Sequence, residues 1–135
     1  TENEEWDARF SPDGRWGAYT SDESGDQEVY VKSFDVSNSR SFRVSVGGGM
    51  FPRWGKTSDE LFYMSPDNKI SLLTLQTGVG TIKVAGVHPL FAVPHFIEGY
   101  DVSRDGAKIV MTRMLDAKNL SPMTVVANWM QGLER

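Results

Sequence analysis

The chain has 135 residues, and eighteen acidic against fourteen basic side chains leave a net charge of −4, the wrong sign for a surface that binds a phosphate backbone, so nucleic acid is not an expected partner. Basic residues stand singly (Arg9, Arg15, Lys32, Arg40, Arg43, Arg53), which leaves no polybasic patch for a membrane surface, and no apolar run approaches the ~20 residues of a membrane-spanning helix. Without cysteine there is neither a disulfide framework nor a thiolate nucleophile.

In chain order, the first expected strand, Trp6 to Phe10, leads into Ser11-Pro12-Asp13-Gly14, with Pro where a turn wants φ near −65° and Gly where φ turns positive. Strands follow at Arg15 to Thr20 and Glu28 to Phe34, joined by a hairpin within the acidic stretch Ser21 to Glu28, and a fourth is expected from Phe42 to Val46. The pattern then restarts: Phe51 to Trp54, a polar turn at Lys56 to Asp59, Glu60 to Ser65, Ile70 to Leu75 and Thr81 to Ala85. In Val29 to Phe34 and Ile70 to Leu75 both alternating sets of side chains include apolar groups, as expected of strands covered on both faces. A Pro-containing crossover, 86 to 95, leads to the last group: Ile97 to Val102, Ala107 to Arg113 and Met123 to Trp129, with a short helical turn conceivable only at Asn128 to Glu134. No fourth strand is expected there.

Superposing Phe10 on Trp54 and on Val102 aligns Ser11, Gly55 and Ser103, then Gly14, Ser58 and Gly106, then Tyr19, Tyr63 and Met111 without gaps, at intervals of 44 and 48 residues. This period is that of a four-stranded propeller blade, a unit that cannot bury both faces of its sheet without neighbours. The expected fold is therefore all-β: a β-propeller fragment of about three four-stranded blades, at about 5–47, 48–86 and 95–130, the last lacking its outer strand. Three repeats are too few for a closed ring, and the chain opens at Thr1 without an initiator Met or a signal-like segment, so it is expected to be part of a longer protein.

Phe10-Ser11-Pro12-Asp13-Gly14, with Pro52-Arg53-Trp54 and Glu60-Leu61-Phe62-Tyr63, and Tyr100-Asp101-Val102-Ser103 with Asp105-Gly106, resembles the repeat of TolB-like β-propellers, of the WD-repeat-like superfamily. The resemblance spans essentially the whole chain. The run Ser121 to Trp129 is similar to the tails of bacterial sensor proteins in which such a propeller follows a kinase or a regulatory domain. Gly55-Lys56-Thr57-Ser58 and Arg104 depart from the Ser-Pro-Asp-Gly turn. The resemblance implies a non-catalytic protein- or ligand-binding module, a sensing or docking part of a larger bacterial protein, periplasmic or otherwise extracytoplasmic. It carries no shared catalytic residues. The alternative is an accessory propeller portion of a hydrolase or lyase whose catalytic residues lie elsewhere.

No catalytic, cofactor or metal residue is assigned. Gly49 to Thr57 has five residues between its glycines, where a phosphate-binding loop has four and opens a helix. Asp22-Glu23-Ser24-Gly25-Asp26 lacks the ligand register of a calcium loop and reads as a solvated hairpin. His88 and His95 are the only imidazoles; a metal site usually wants three protein ligands, and a pair of histidines completed by Glu98 or Asp101 across a Pro-containing crossover reads as loop packing instead. No Gly-x-Ser-x-Gly elbow is present. Trp6, Trp16, Trp54 and Trp129 are expected mainly as packing residues between blades. The expected contact surface is the face carrying loops 21–27, 47–50, 65–69, 86–95 and 114–120, with Met50, Phe51, His95 and Tyr100 as the binding-face candidates. No membrane contact is expected, and two copies could associate into a six-blade ring.

Overall fold

A computed structural model describes residues 5–34, 41–93, 97–113 and 123–127, and the side chains of 7–34, 41–93 and 99–111. Eleven strands and no helix are present among the described residues, in three antiparallel meanders. The first sheet contains β1 (Glu5–Phe10), β2 (Trp16–Ser21), β3 (Glu28–Ser33) and β4 (Ser41–Arg43); the second contains β5 (Met50–Trp54), β6 (Glu60–Met64), β7 (Lys69–Thr77) and β8 (Ile82–Ala92). The third contains β9 (Ile97–Val102), β10 (Ile109–Arg113) and β11 (Met123–Ala127). The first strands of the meanders lie together, with β5 touching both β1 and β9, which is how the inner strands of consecutive propeller blades meet.

Period-two alternation explains the stacking. On the second sheet Leu61, Tyr63, Leu73 and Leu75 face the first sheet and pack with Trp16, Ala18, Val29 and Val31. Their neighbours Phe62, Met64, Ile70 and Leu72 point the other way, against Tyr100, Ile109 and Met111 of the third. The middle sheet is thus apolar on both faces because it is covered on both. Among the described residues the first sheet has no such cover on its outer side: Phe10 and Phe34 are 73% and 55% exposed, their ring centroids 5.4 Å apart.

The turns after β1 and β9 are closed by the same local chemistry. The Ser11 and Ser103 hydroxyls donate to Asp13 and Asp105 at 2.6 Å and accept from the amides of Trp16 and Lys108 at 3.0 Å. For Asp13, slight burial pushes the pKa up, but the bonds from Ser11 and the Arg15 amide outweigh it and hold the carboxyl below its ordinary value. For Asp105 the Ser103 hydroxyl is the leading cause of the same downward shift. The divergent turn at 55–59 still closes in the same frame, Gly55 N to Glu60 O at 2.9 Å, as Ser11 N bonds Trp16 O at 2.8 Å. The turns of the second and third sheets abut: a Cβ on Gly106 (φ +71°) would lie 2.9 Å from the Lys56 amide nitrogen, so both backbone conformation and space require glycine there.

Several strand boundaries differ from expectation. The outer strand of the first sheet is Ser41–Arg43 rather than Phe42 to Val46; the Val44 amide still bonds Val29 O, but the chain then leaves the sheet and Val46 is exposed. The outer strand of the second sheet does not stop at Ala85. It continues to Ala92, so most of the expected crossover 86–95 is strand. Two register irregularities against β7, between Ile70 and Ser71 and between Thr74 and Leu75, let the long strand follow the sheet's twist, and Pro89 stands on the strand at the end of the sheet order, where proline is tolerated. β2 and β10 begin at Trp16 and Ile109, because their expected first residues, Arg15 and Ala107–Lys108, belong to the closed turns. Trp129 and 128–134 lie outside the described residues.

Candidate functional site

The acidic stretch behaves as two separate parts. Asp22 to Asp26 forms the expected exposed hairpin, closed by Gly25 N to Asp22 O at 2.9 Å. Glu28, at its end, is instead 5% exposed. Its Oε1 accepts from the Ser45 hydroxyl at 2.6 Å and from the Gly48 amide at 3.0 Å, while Ser45 Oγ also accepts from the Val29 amide at 2.8 Å. A buried carboxylate needs such partners, and here they come from the crossover 44–49 between the first two sheets. The crossover is further fixed by Gly49 N to Gln27 O at 2.9 Å and by Gly48 (φ +101°), where a Cβ would meet the Pro66 ring at 2.5 Å. Tyr63 lies alongside; burial pushes its phenol up, Glu28 adds to this, and a hydrogen bond with Ser71 acts against it.

This clamped loop delivers the chain into β5 at Met50 and Phe51. Both are half-buried, packed against the cluster between the second and third sheets. Phe51 adopts φ +56°, and Asp7, its equivalent one repeat earlier, adopts φ +57°. Each sits at a bulge in its inner strand, between Met50 and Arg53 and between Trp6 and Arg9. Left-handed non-glycine residues are costly and persist only where neighbours hold them. The holders are visible: the Tyr100 hydroxyl donates to Phe51 O at 2.6 Å, and Arg53 Nη1 donates to Asp7 Oδ2 at 2.7 Å.

Arg53 is the hub of this inner surface. It is 7% exposed; Nε donates to Tyr100 O at 3.0 Å and Nη1 also reaches Pro52 O at 2.8 Å. Asp101 lies 3.8 Å from Nε, and the guanidinium stands 5.6 Å from the centre of the Tyr100 ring. One side chain on β5 thereby ties β1 to β9. Burial pushes the Tyr100 phenol well up; the Arg53 charge opposes this, and Asp7 and Asp101 reinforce it, so the hydroxyl stays protonated and donating.

Of the four sequence-derived contact residues, Met50, Phe51 and Tyr100 are therefore brought together. Tyr100 is only 4% exposed and acts by holding Phe51. His95 lies outside the described residues. His88 stands on β8 opposite Leu72 rather than in a loop, and no group of three metal-ligating side chains occurs among the described residues. Trp16 and Trp54 are buried in the first interface, as packing residues. Sequence reasoning missed Glu28 and Arg53. The only signals were a glutamate abutting a strand apolar on both faces and an arginine flanked by Pro52 and Trp54.

No protein-family model matches the chain, and no curated protein matches it significantly. Among solved structures, TolB from Acinetobacter baumannii superposes with a TM-score of 0.67 at 21% identity, covering 93% of this chain and 30% of that one. Oligogalacturonate lyase from Vibrio parahaemolyticus superposes with a TM-score of 0.62 at 14% identity, covering 91% of this chain and 36% of the other. The chain thus spans about a third of the length of these structures. At such identities the likeness establishes the fold, a TolB-like β-propeller arrangement.

Proposed function

We propose that the chain is a non-catalytic binding module, the C-terminal extracytoplasmic sensing or docking part of a larger bacterial protein. The observation that carries this reading is the held, left-handed Phe51 beside Met50, delivered by a crossover locked on the buried Glu28. Strain maintained at a half-exposed aromatic, on a rigid support, suits recognition, because little ordering remains to be done when a partner arrives. The partner, a protein or small ligand, meets the face bearing the 22–26 hairpin, the 44–49 crossover and the 65–68 turn, with His95 included on the sequence reading. The sensor-protein resemblance of the tail and the TolB-like fold support the extracytoplasmic assignment.

The test is capture of a saturable partner from a bacterial envelope extract by the immobilised chain, compared with Met50→Ala and Phe51→Ala. Loss of binding by at least about tenfold, the mark of an interface hot spot, is expected with an unchanged circular dichroism spectrum. Equal capture by the variants, or no saturable partner, overturns the reading.

For the outer face of the first sheet we propose a second copy of the chain as occupant. Phe10 and Phe34 frame a groove of about 390 Å³ that also includes Gly17, Tyr19 and Lys32, and stable association needs roughly 1,200–2,000 Å² of buried surface, an area that a sheet face together with its rim can supply. Light scattering is expected to give a mass near twice 15.1 kDa that persists on dilution. A monomer mass throughout overturns it.

A further inference from the structure

We infer that the opposite end of the inner strands, at the β1–β2, β5–β6 and β9–β10 turns, is a second binding site, selective for an acidic, extended peptide. A groove of about 440 Å³ opens there, within the size range of ligand sites. Its lining comes from residues 9, 10 and 12, from 53–56 and from 101–104, equivalent stretches of the three successive repeats. Arg9 and Arg53 occupy one of these positions, Lys56 and Arg104 another. Residues scattered singly along the chain are thus gathered into one patch by the repeat itself.

The charge balance of the groove is opposite to that of the chain. Four cations line it against one carboxylate, Asp101, although the net charge overall is −4. Arg53 is committed to Asp7, to Asp101 and to backbone carbonyls, and Arg9 lies 3.2 Å from Asp7. Lys56 and Arg104 are exposed and have no ion-pair partner among the described residues. Asp13 and Asp105, on the β1–β2 and β9–β10 turns, bond Ser11 and Ser103 and make no ion pair with Lys56 or Arg104 among the described residues. The Gly106 contact with Lys56 keeps the two turns adjacent.

The remaining walls are apolar. Pro12, the half-buried Val102 and Trp54 line the groove, Trp54 pinned by its indole N–H to Arg9 O at 3.0 Å. Cations beside an apolar lining of Pro12, Trp54 and Val102 match carboxylate side chains flanking an apolar one. The inference is independent of the Met50–Phe51 face, which lies at the other end of the same strands.

The test is fluorescence anisotropy with the labelled pentapeptide Asp-Glu-Phe-Asp-Glu, its amide counterpart Asn-Gln-Phe-Asn-Gln, and an oligothymidylate as a non-peptide polyanion. The expected result is saturable binding of the acidic peptide only, weakened several-fold from about 50 to about 200 mM salt, and weakened at least about tenfold by Lys56→Glu with Arg104→Glu. The single variants Lys56→Gln and Arg104→Gln, at exposed positions, give intermediate losses with unchanged thermal unfolding. No binding of the acidic peptide, equal binding of the amide peptide, or preference for the oligothymidylate overturns the inference. Undiminished binding by the folded charge-reversed chain does so equally.

Discussion

Replacing Arg53 by methionine is expected to destabilise the chain by about 3–5 kcal/mol, the usual consequence of removing one partner of a buried ion pair. Against a typical total of about 5–15 kcal/mol, this is enough to unfold a large share of the molecules in mild denaturant. Methionine keeps much of the aliphatic volume, so the loss is electrostatic: Asp7 and the Tyr100 carbonyl lose their donors, and with them goes a side chain that bridges all three inner strands. Arg53→Lys is expected to rescue little, since an ammonium lacks the fixed fork that serves two directions at once. Combining Arg53→Met with Asp7→Ala should recover part of the loss, because no unpaired carboxylate is then left behind. Urea denaturation of the four chains measures each term. A wild-type midpoint for Arg53→Met would falsify the hub.

The second large effect is expected at Phe62, fully buried on the middle sheet and pointing at Tyr100, Ile109 and Met111. Phe62→Ala removes a whole ring from the interface between the second and third sheets, a loss of about 3–5 kcal/mol. Its neighbour Leu61 faces the other way, into the first interface, where truncation to alanine costs about 2–5 kcal/mol. The two changes should differ in place as well as size. Hydrogen exchange of Phe62→Ala is expected to rise first in β9 and β10, and that of Leu61→Ala in β2 and β3. Identical exchange patterns would show that the sheets unfold as one unit and that the faces are not separately responsible.

Both expectations depend on alternation, which the sequence displays directly. Ile70 to Leu75 is apolar on both sides because it lies between two sheets, and the same feature in Leu61 to Met64 fixes which residue meets which neighbour. The turns were equally legible. Ser11 and Asp13 close their hairpin within five residues, and Ser103 and Asp105 repeat the chemistry, so the necessary partners are all local. Even the divergent Gly55 turn keeps its length and therefore its closing bond.

What was not legible depends on partners 17 to 49 residues away in the chain. Glu28 reads as one more solvated acid beside Asp22 and Asp26 until the crossover folds back and supplies Ser45 and Gly48 as its donors. The continuation of β8 through Pro89 depends on pairing with β7 and on its irregular register, which no turn residue announces. Tyr100 reads as a surface aromatic, and only the approach of β5 buries it and gives its hydroxyl Phe51 O.

Sequence alone determined the all-β repeat, the strand alternation and the turn chemistry, because these are set by neighbours two to five residues apart. The tertiary structure decided what stands beside what. Bulges at Asp7 and Phe51 re-aim the inner strands so that Arg53 spans them, and the stacking of three repeats brings Arg9, Lys56 and Arg104 around one groove. Like positions of successive blades meet at the inner strands, and no local pattern encodes what side chains from different repeats do there until the sheets have packed.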